Sequence, residues 1–139
     1  MTDPSANHAV QPIGWVHSPL RRREDAPRQG HEGAPNARLQ IEPAFLPALD
    51  GLRAGQDILV LTWLHEARRD VLAVHPRDDL TQPLAGVFAT RSPDRPNPIG
   101  LHRVKLLTIE PGGSLQVQAL EAIEGTPVID IKPVLAQGG

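Results

Sequence analysis

The sequence predicts an all-β fold, a barrel or sandwich of about eight short strands with little helix. Three observations carry that prediction. Short apolar or alternating runs recur at regular spacing along the 139 residues, as in small barrels and sandwiches. Almost no segment repeats its apolar residues with the 3.6-residue period of a helix. Finally, 15 prolines and 12 glycines punctuate the chain, above the usual share but short of the level that marks disorder. A chain of this length suits one domain with a real core. Aromatics are only 3% of it, so Leu, Val, Ile and Ala must fill that core.

The elements follow in order. Residues 1–11 are polar and are expected to fray, leaving residues 12–136 as the domain. IGWVHSP (13–19) reads as a first strand closed by a Ser-Pro turn signal. The next stretch, 20–37, holds four arginines, two prolines and two glycines without apolar periodicity; so long a loop is more often functional or disordered than neutral. ARLQIEP (37–43) alternates as a strand. PAFLPALDGL (43–52) has room for one or two helical turns, limited by Pro47. DILVLTWL (57–64) is nearly all apolar and is the best central strand. DVLAVHP (70–76), AGVFAT (85–90), RVKLLTIE (103–110), SLQVQALEAI (114–123) and PVIDIKPVL (127–135) complete the set. PGG at 111–113 is a hairpin turn signal, and Pro133 ends the last strand.

Composition narrows the chemistry. A net charge of -2 and a pI near 6.3 argue against a uniformly basic surface coating nucleic acid. Twelve of the fourteen cations are Arg, suited to forked contacts with phosphate or carboxylate, although a GC-rich genome has the same effect. With no Cys, disulfides, thiolate nucleophiles and Cys-bound metals are excluded. No stretch approaches a membrane span and the start lacks an apolar signal region, so a cytoplasmic, soluble protein is expected. Neither a phosphate loop nor a Rossmann glycine fingerprint occurs. HEARR (65–69) lacks the second His of the zinc motif, the six histidines have no ligand spacing, and no metal is expected. Ser18, Ser92 and Ser114 sit in no nucleophile elbow.

One stretch stands apart. ATRSPDRPNPIG (89–100) packs three prolines and two arginines into twelve positions. Ser92-Pro93-Asp94-Arg95 and Asn97-Pro98-Ile99-Gly100 both fit the type I turn pattern, predicting two reversals and a stiff knob displaying Arg91, Arg95 and Asn97. Such a knob suits a pre-organised recognition wall. A rigid connector with solvated arginines accounts for the pattern equally well.

GVFATRSPDRPNPIG (86–100) also resembles the signature of the TsaA-like (TrmO) family of S-adenosylmethionine-dependent methyltransferases. The likeness covers nearly the whole chain: Ile13 to Pro19 is similar to the family's opening, Pro27-Arg28-Gln29-Gly30 to its PRQ-x-G, Leu61 to His65 to its aromatic strand ending in His, and Glu124 to Val134 to its DGTPV-x-DIKPY. The long R-S-P-x-R-P-N-P-I-G run is specific; the others are weak singly but keep the family's order. The resemblance implies a small β-barrel, a homodimer with the site near the subunit interface, S-adenosylmethionine as cofactor, and N6 of threonylcarbamoyladenosine beside the tRNA anticodon as methyl acceptor. It implies cofactor contacts at Pro27, Arg28, Gln29, His65, Glu66, Arg91, Leu101, Glu124, Gly125, Thr126 and Pro127. Arg95 and Asn97 are the expected substrate contacts.

The chain departs from the pattern where Glu124 replaces Asp and Val134 replaces Tyr, in a shorter 65–85 region, and in ending soon after the KP motif. These departures leave open a small-molecule or other RNA acceptor, or a binding module without catalysis. The acceptor nitrogen must lose a proton; Asp130 and His65 are the candidate bases, with Glu124 third and Lys132 beside Asp130. Asp130 and Lys132 lie two apart on one strand face, where a structural ion pair competes with a catalytic role; for His65 the competing reading is a strand-end histidine. The arginines at 21–23 read as a solvated run or as a grip on RNA phosphates.

Overall fold

The computed structural model describes residues 7–25 and 33–136. Six antiparallel strands close into a barrel: β1 (Gly14–His17), β2 (Ala37–Ile41), β3 (Asp57–Trp63), β6 (Ile99–Glu110), β7 (Ser114–Val117) and β8 (Pro127–Pro133), in the order β1-β2-β7-β6-β3-β8. A separate two-stranded ribbon, β4 (Ala73–Val74) and β5 (Ala85–Gly86), stands on the β3–β6 connection.

Alternation drives closure. Along β3, Ile58, Val60 and Thr62 are buried while the residues between them are not; along β6, positions 100, 102, 104 and 106 are buried in the same way. A strand whose side chains alternate faces puts every second residue inside the barrel. Val16, Leu39, Ile41, Leu115, Val117 and Val128 join them in one aliphatic core. Two plugs finish it. A 3-10 helix, Pro43–Leu49, packs Phe45, Leu46 and Leu49 against one end; Leu120 and Ala122 close the other.

The register fixes which loops share an end. Trp63 pairs with Ile99, Thr62 with Val128, Trp15 with Pro127, His17 with Arg38 and Ala37 with Val117. The connections 18–36, 64–98 and 118–126 therefore leave from one end, and 42–56 and 111–113 from the other.

Several expected elements change. The 70–76 and 85–90 strands shrink to β4 and β5, and 114–123 ends at Val117. There the chain turns through Ala119 at φ 57°, whose amide donates to Asn36 Oδ1 at 3.2 Å. Neither predicted turn forms with its own closing bond. The Arg95 amide donates to Arg68 O at 3.0 Å instead, and Ile99 and Gly100 already belong to β6, paired with Trp63 and Thr62. Asn97 makes only a three-residue reversal, its carbonyl accepting from the Ile99 amide at 2.8 Å. The ladder to β3 outcompetes the local turn.

Left-handed backbone costs an L-residue roughly 1–2 kcal/mol, a penalty glycine escapes. Ala119→Gly is therefore expected to stabilise the protein by about 0.5–1 kcal/mol, read as a higher urea midpoint at unchanged slope.

Candidate functional site

The loop-bearing end gathers nearly every residue singled out in the sequence. His65 and Glu66 follow β3, Arg91, Arg95 and Asn97 precede β6, and Glu124, Gly125 and Thr126 precede β8, which Pro127 begins. Leu101 is the third residue of β6, outward and exposed beside Leu61. Pro27, Arg28 and Gln29 lie outside the described residues.

Glu124 is built in from both sides. Its Oε1 accepts from the Ser18 amide at 2.9 Å and its Oε2 lies 3.1 Å from His17 Nδ1. Its own amide donates to Leu20 O at 2.7 Å, and the Gly125 amide to Val16 O at 2.8 Å. The Ser18 amide holds the carboxyl below its ordinary value of 4.5; partial burial opposes this, and the His17 contact adds to it. An anionic carboxylate thus sits at the β1–β8 rim. Thr126 is buried and its hydroxyl donates to Ile123 O at 2.8 Å, so its side chain holds the loop together.

Across the mouth, 64–69 and 91–98 lie side by side. The Leu64 amide donates to Pro98 O at 2.8 Å. Arg69 Nε donates to Pro96 O at 2.6 Å, its Nη2 to Asn97 Oδ1 at 2.9 Å, and its guanidinium lies 5.2 Å from the Trp63 ring centre. Arg95 turns inward and donates to Val87 O and to Thr90 O. Its Nη2 is thus engaged by two backbone carbonyls, and Asn97 Oδ1 by Arg69. Arg91 differs: it is exposed, and no polar partner engages it among the described residues. His65 Nε2 stands 3.8 Å from Glu66 Oε2, both side chains partly exposed.

Asp130 and Lys132 lie elsewhere. They pair at 3.2 Å, on the outer wall of β8 opposite Leu61 and Leu59. At about 3.3 Å per strand residue, the register puts Asp130 some way down the wall from His65, beside a groove of about 420 Å³ under the 3-10 helix at the far end. Asp130 thus shares its row of the wall with Leu101, which flanks Leu61 on the other side, and Lys132 lies two residues further from the mouth. The sequence reading missed His17, Arg69 and Asp94 as members of the site; their partners are 26 to 107 residues distant, so no local pattern marks them. Among the described residues no three metal-binding side chains cluster and no helix is long and apolar enough to cross a membrane.

This is a closed antiparallel barrel with three of its loop connections at one end, and among the described residues it has no glycine-rich helix turn of the kind found in nucleotide-binding α/β folds. Comparison with known proteins gives it a family. Residues 15–138 match the family of the tRNA-methyltransferase O N-terminal domain, and the chain belongs to it. A relative from Methanothermobacter thermautotrophicus, named a probable S-adenosyl-L-methionine-binding protein, is 48% identical over 124 residues, covering 89% of this chain and 88% of its own. An S-adenosyl-L-methionine-binding protein of Archaeoglobus fulgidus is 42% identical, covering 88% and 86%. The crystal structure of TrmO from Pseudomonas aeruginosa superposes with a TM-score of 0.75 at 33% identity, and another TrmO crystal structure with 0.76 at 34%. This chain is covered to 95% in both but spans only 58% and 59% of those chains.

Proposed function

We propose that this protein binds S-adenosyl-L-methionine at the loop-bearing mouth and transfers its methyl group, with N6 of threonylcarbamoyladenosine in tRNA as the acceptor. The observation that carries the proposal is the convergence of the 65–66, 91–97 and 124–127 segments at one barrel end, with Arg91 exposed and without a polar partner among the described residues. The relatives named for binding this cofactor share most of the chain's length and support the cofactor part of this reading.

The residues present fit the cofactor's chemistry. It offers a carboxylate, an ammonium and sulfonium, and an adenine. Arg91 suits the carboxylate, Glu124 and Glu66 the cationic groups, and Leu101 with Pro127 an apolar ring face. When bound, the cofactor supplies an electrophilic methyl on a positive sulfur. The protein's share is to hold the acceptor nitrogen in line, which supplies much of the rate, and to receive its proton. His65 would accept that proton at a ring nitrogen. Asp130 and Lys132 pair with each other on the outer wall of β8. A homodimer in the cytoplasm is the assembly proposed. Leu72, Leu80, Leu84 and Phe88, each at least 61% exposed on the 64–98 excursion, support it, because monomers seldom leave so much apolar surface uncovered.

Calorimetry with S-adenosyl-L-methionine should show binding, and Arg91→Ala should weaken it at least about tenfold, the loss of one charge-assisted hydrogen bond. Labelled methyl should pass to tRNA from cells that make the threonylcarbamoyl modification and not to tRNA from cells that lack it. Equal labelling of both would overturn the acceptor, no binding the cofactor, and a monomer on sedimentation the dimer.

A further inference from the structure

We infer that Asp94 is the positioning residue that draws three mouth segments, around Arg23, Arg68 and Arg95, into one frame, and that cofactor affinity depends on it. The inference rests on the proposed cofactor site for its second half only. The three prolines at 93, 96 and 98 leave 91–98 with few backbone donors, so side chains must fasten it. Asp94 Oδ1 accepts from the Arg68 amide at 2.8 Å and lies 3.0 Å from Arg23 Nη2. Arg23 Nη1 also donates to Glu66 O at 3.3 Å, and Arg68 O accepts from the Arg95 amide at 3.0 Å.

One carboxylate oxygen therefore ties its own loop between β5 and β6 to the β1–β2 loop through Arg23 and to the β3–β4 loop through the Arg68 amide, and Arg23 in turn holds the Glu66 carbonyl. The Asp94 side chain is 23% exposed and that of Arg23 37%, so water screens the contact only in part. The frame holds the backbone of Glu66, next to His65, and lies three residues from Arg91. It also gives Arg23 a role distinct from Arg21 and Arg22 in the arginine run.

Hydrogen exchange on the full-length, cofactor-free protein reads the clasp directly. Asp94→Ala and Arg23→Gln should speed exchange of the Arg68 and Arg95 amides by about tenfold, with exchange in the β3 and β6 core unchanged. Arg23→Lys should restore most of the protection, since it keeps the charge. In calorimetry both disruptive variants should raise the Kd for S-adenosyl-L-methionine by about tenfold. Unchanged exchange in both variants would overturn the clasp. Faster exchange with unchanged affinity would overturn the positioning role. A wild-type protein that binds no cofactor would sink the proposed function, while the exchange result would still decide whether Asp94 gathers the loops.

Discussion

Lowering the pH from about 7 to about 4 is expected to remove roughly 3 kcal/mol of stability through one side chain, His102. His102 is inside the barrel, 8% exposed, with Nε2 2.8 Å from Thr62 Oγ1. Burial lowers its pKa from 6.5 to about 4, because the low-dielectric interior penalises the imidazolium. In the unfolded chain the ring takes up its proton near the ordinary value. Between these two values the unfolded state binds a proton that the native state refuses. The stabilisation is therefore complete above 6.5, declines as the pH falls, and is exhausted near 4. The carboxylates held below their ordinary values, Glu124 and Asp57, begin to matter only at the acid end of this window. Urea titrations at several pH values should trace the loss, and His102→Gln, which keeps a hydrogen-bonding group but cannot titrate, should flatten the curve between pH 6.5 and 5. An identical slope in both proteins would refute the assignment.

The barrel was legible in the sequence because burial on one face of a strand writes itself as alternation. ARLQI and DILVLTW carry that period, and the residues it marks as inward, Leu39, Ile58 and Val60, are the core. Closure itself depends on pairing β1 with β8, partners more than a hundred residues apart, which no local pattern encodes. The resemblance supplied the barrel where periodicity alone left a sandwich open.

The mouth was legible by motif and not by geometry. The RSPDRPNPIG run announced itself through its prolines, but the side chains it seemed to display have different fates. Arg95 is spent on Val87 and Thr90 carbonyls, Asn97 accepts from Arg69, and only Arg91 stays free of polar partners among the described residues. Turn statistics made Asp94 look like a turn former, whereas its carboxylate reaches Arg23 and the Arg68 amide. The ion pair anticipated between Asp130 and Lys132 forms, at 3.2 Å, because residues two apart on a strand share a face.

Gly100 is the residue whose sequence reading changed most, and Gly100→Ala is expected to be strongly destabilising. A glycine at the fourth place of Asn-Pro-Ile-Gly suggests turn chemistry, yet here it lies in β6, directly opposite Thr62 and pointing into the barrel. The next inward residue of β6 is His102, so Thr62 and His102 are diagonal neighbours and meet over the space that Gly100 leaves empty. A Cβ at Gly100 would run into Thr62 Oγ1, His102 Nε2 at 2.7 Å and Leu64 Cδ2 at 3.1 Å. Thr62 and His102 sit in the packed interior and cannot swing into solvent, so either the hydrogen bond breaks or the β3–β6 ladder shifts where the mouth begins. Overpacking of this kind costs about 1–3 kcal/mol, and an unmade buried hydrogen bond adds about 1–3 more. Denaturation should place Gly100→Ala about 2–6 kcal/mol below the parent. Thr62→Ala, which removes the hydroxyl and opens room, should make the double variant markedly less damaged than the sum of the two single losses. Strict additivity would mean that the Thr62–His102 contact is not what demands glycine at this position.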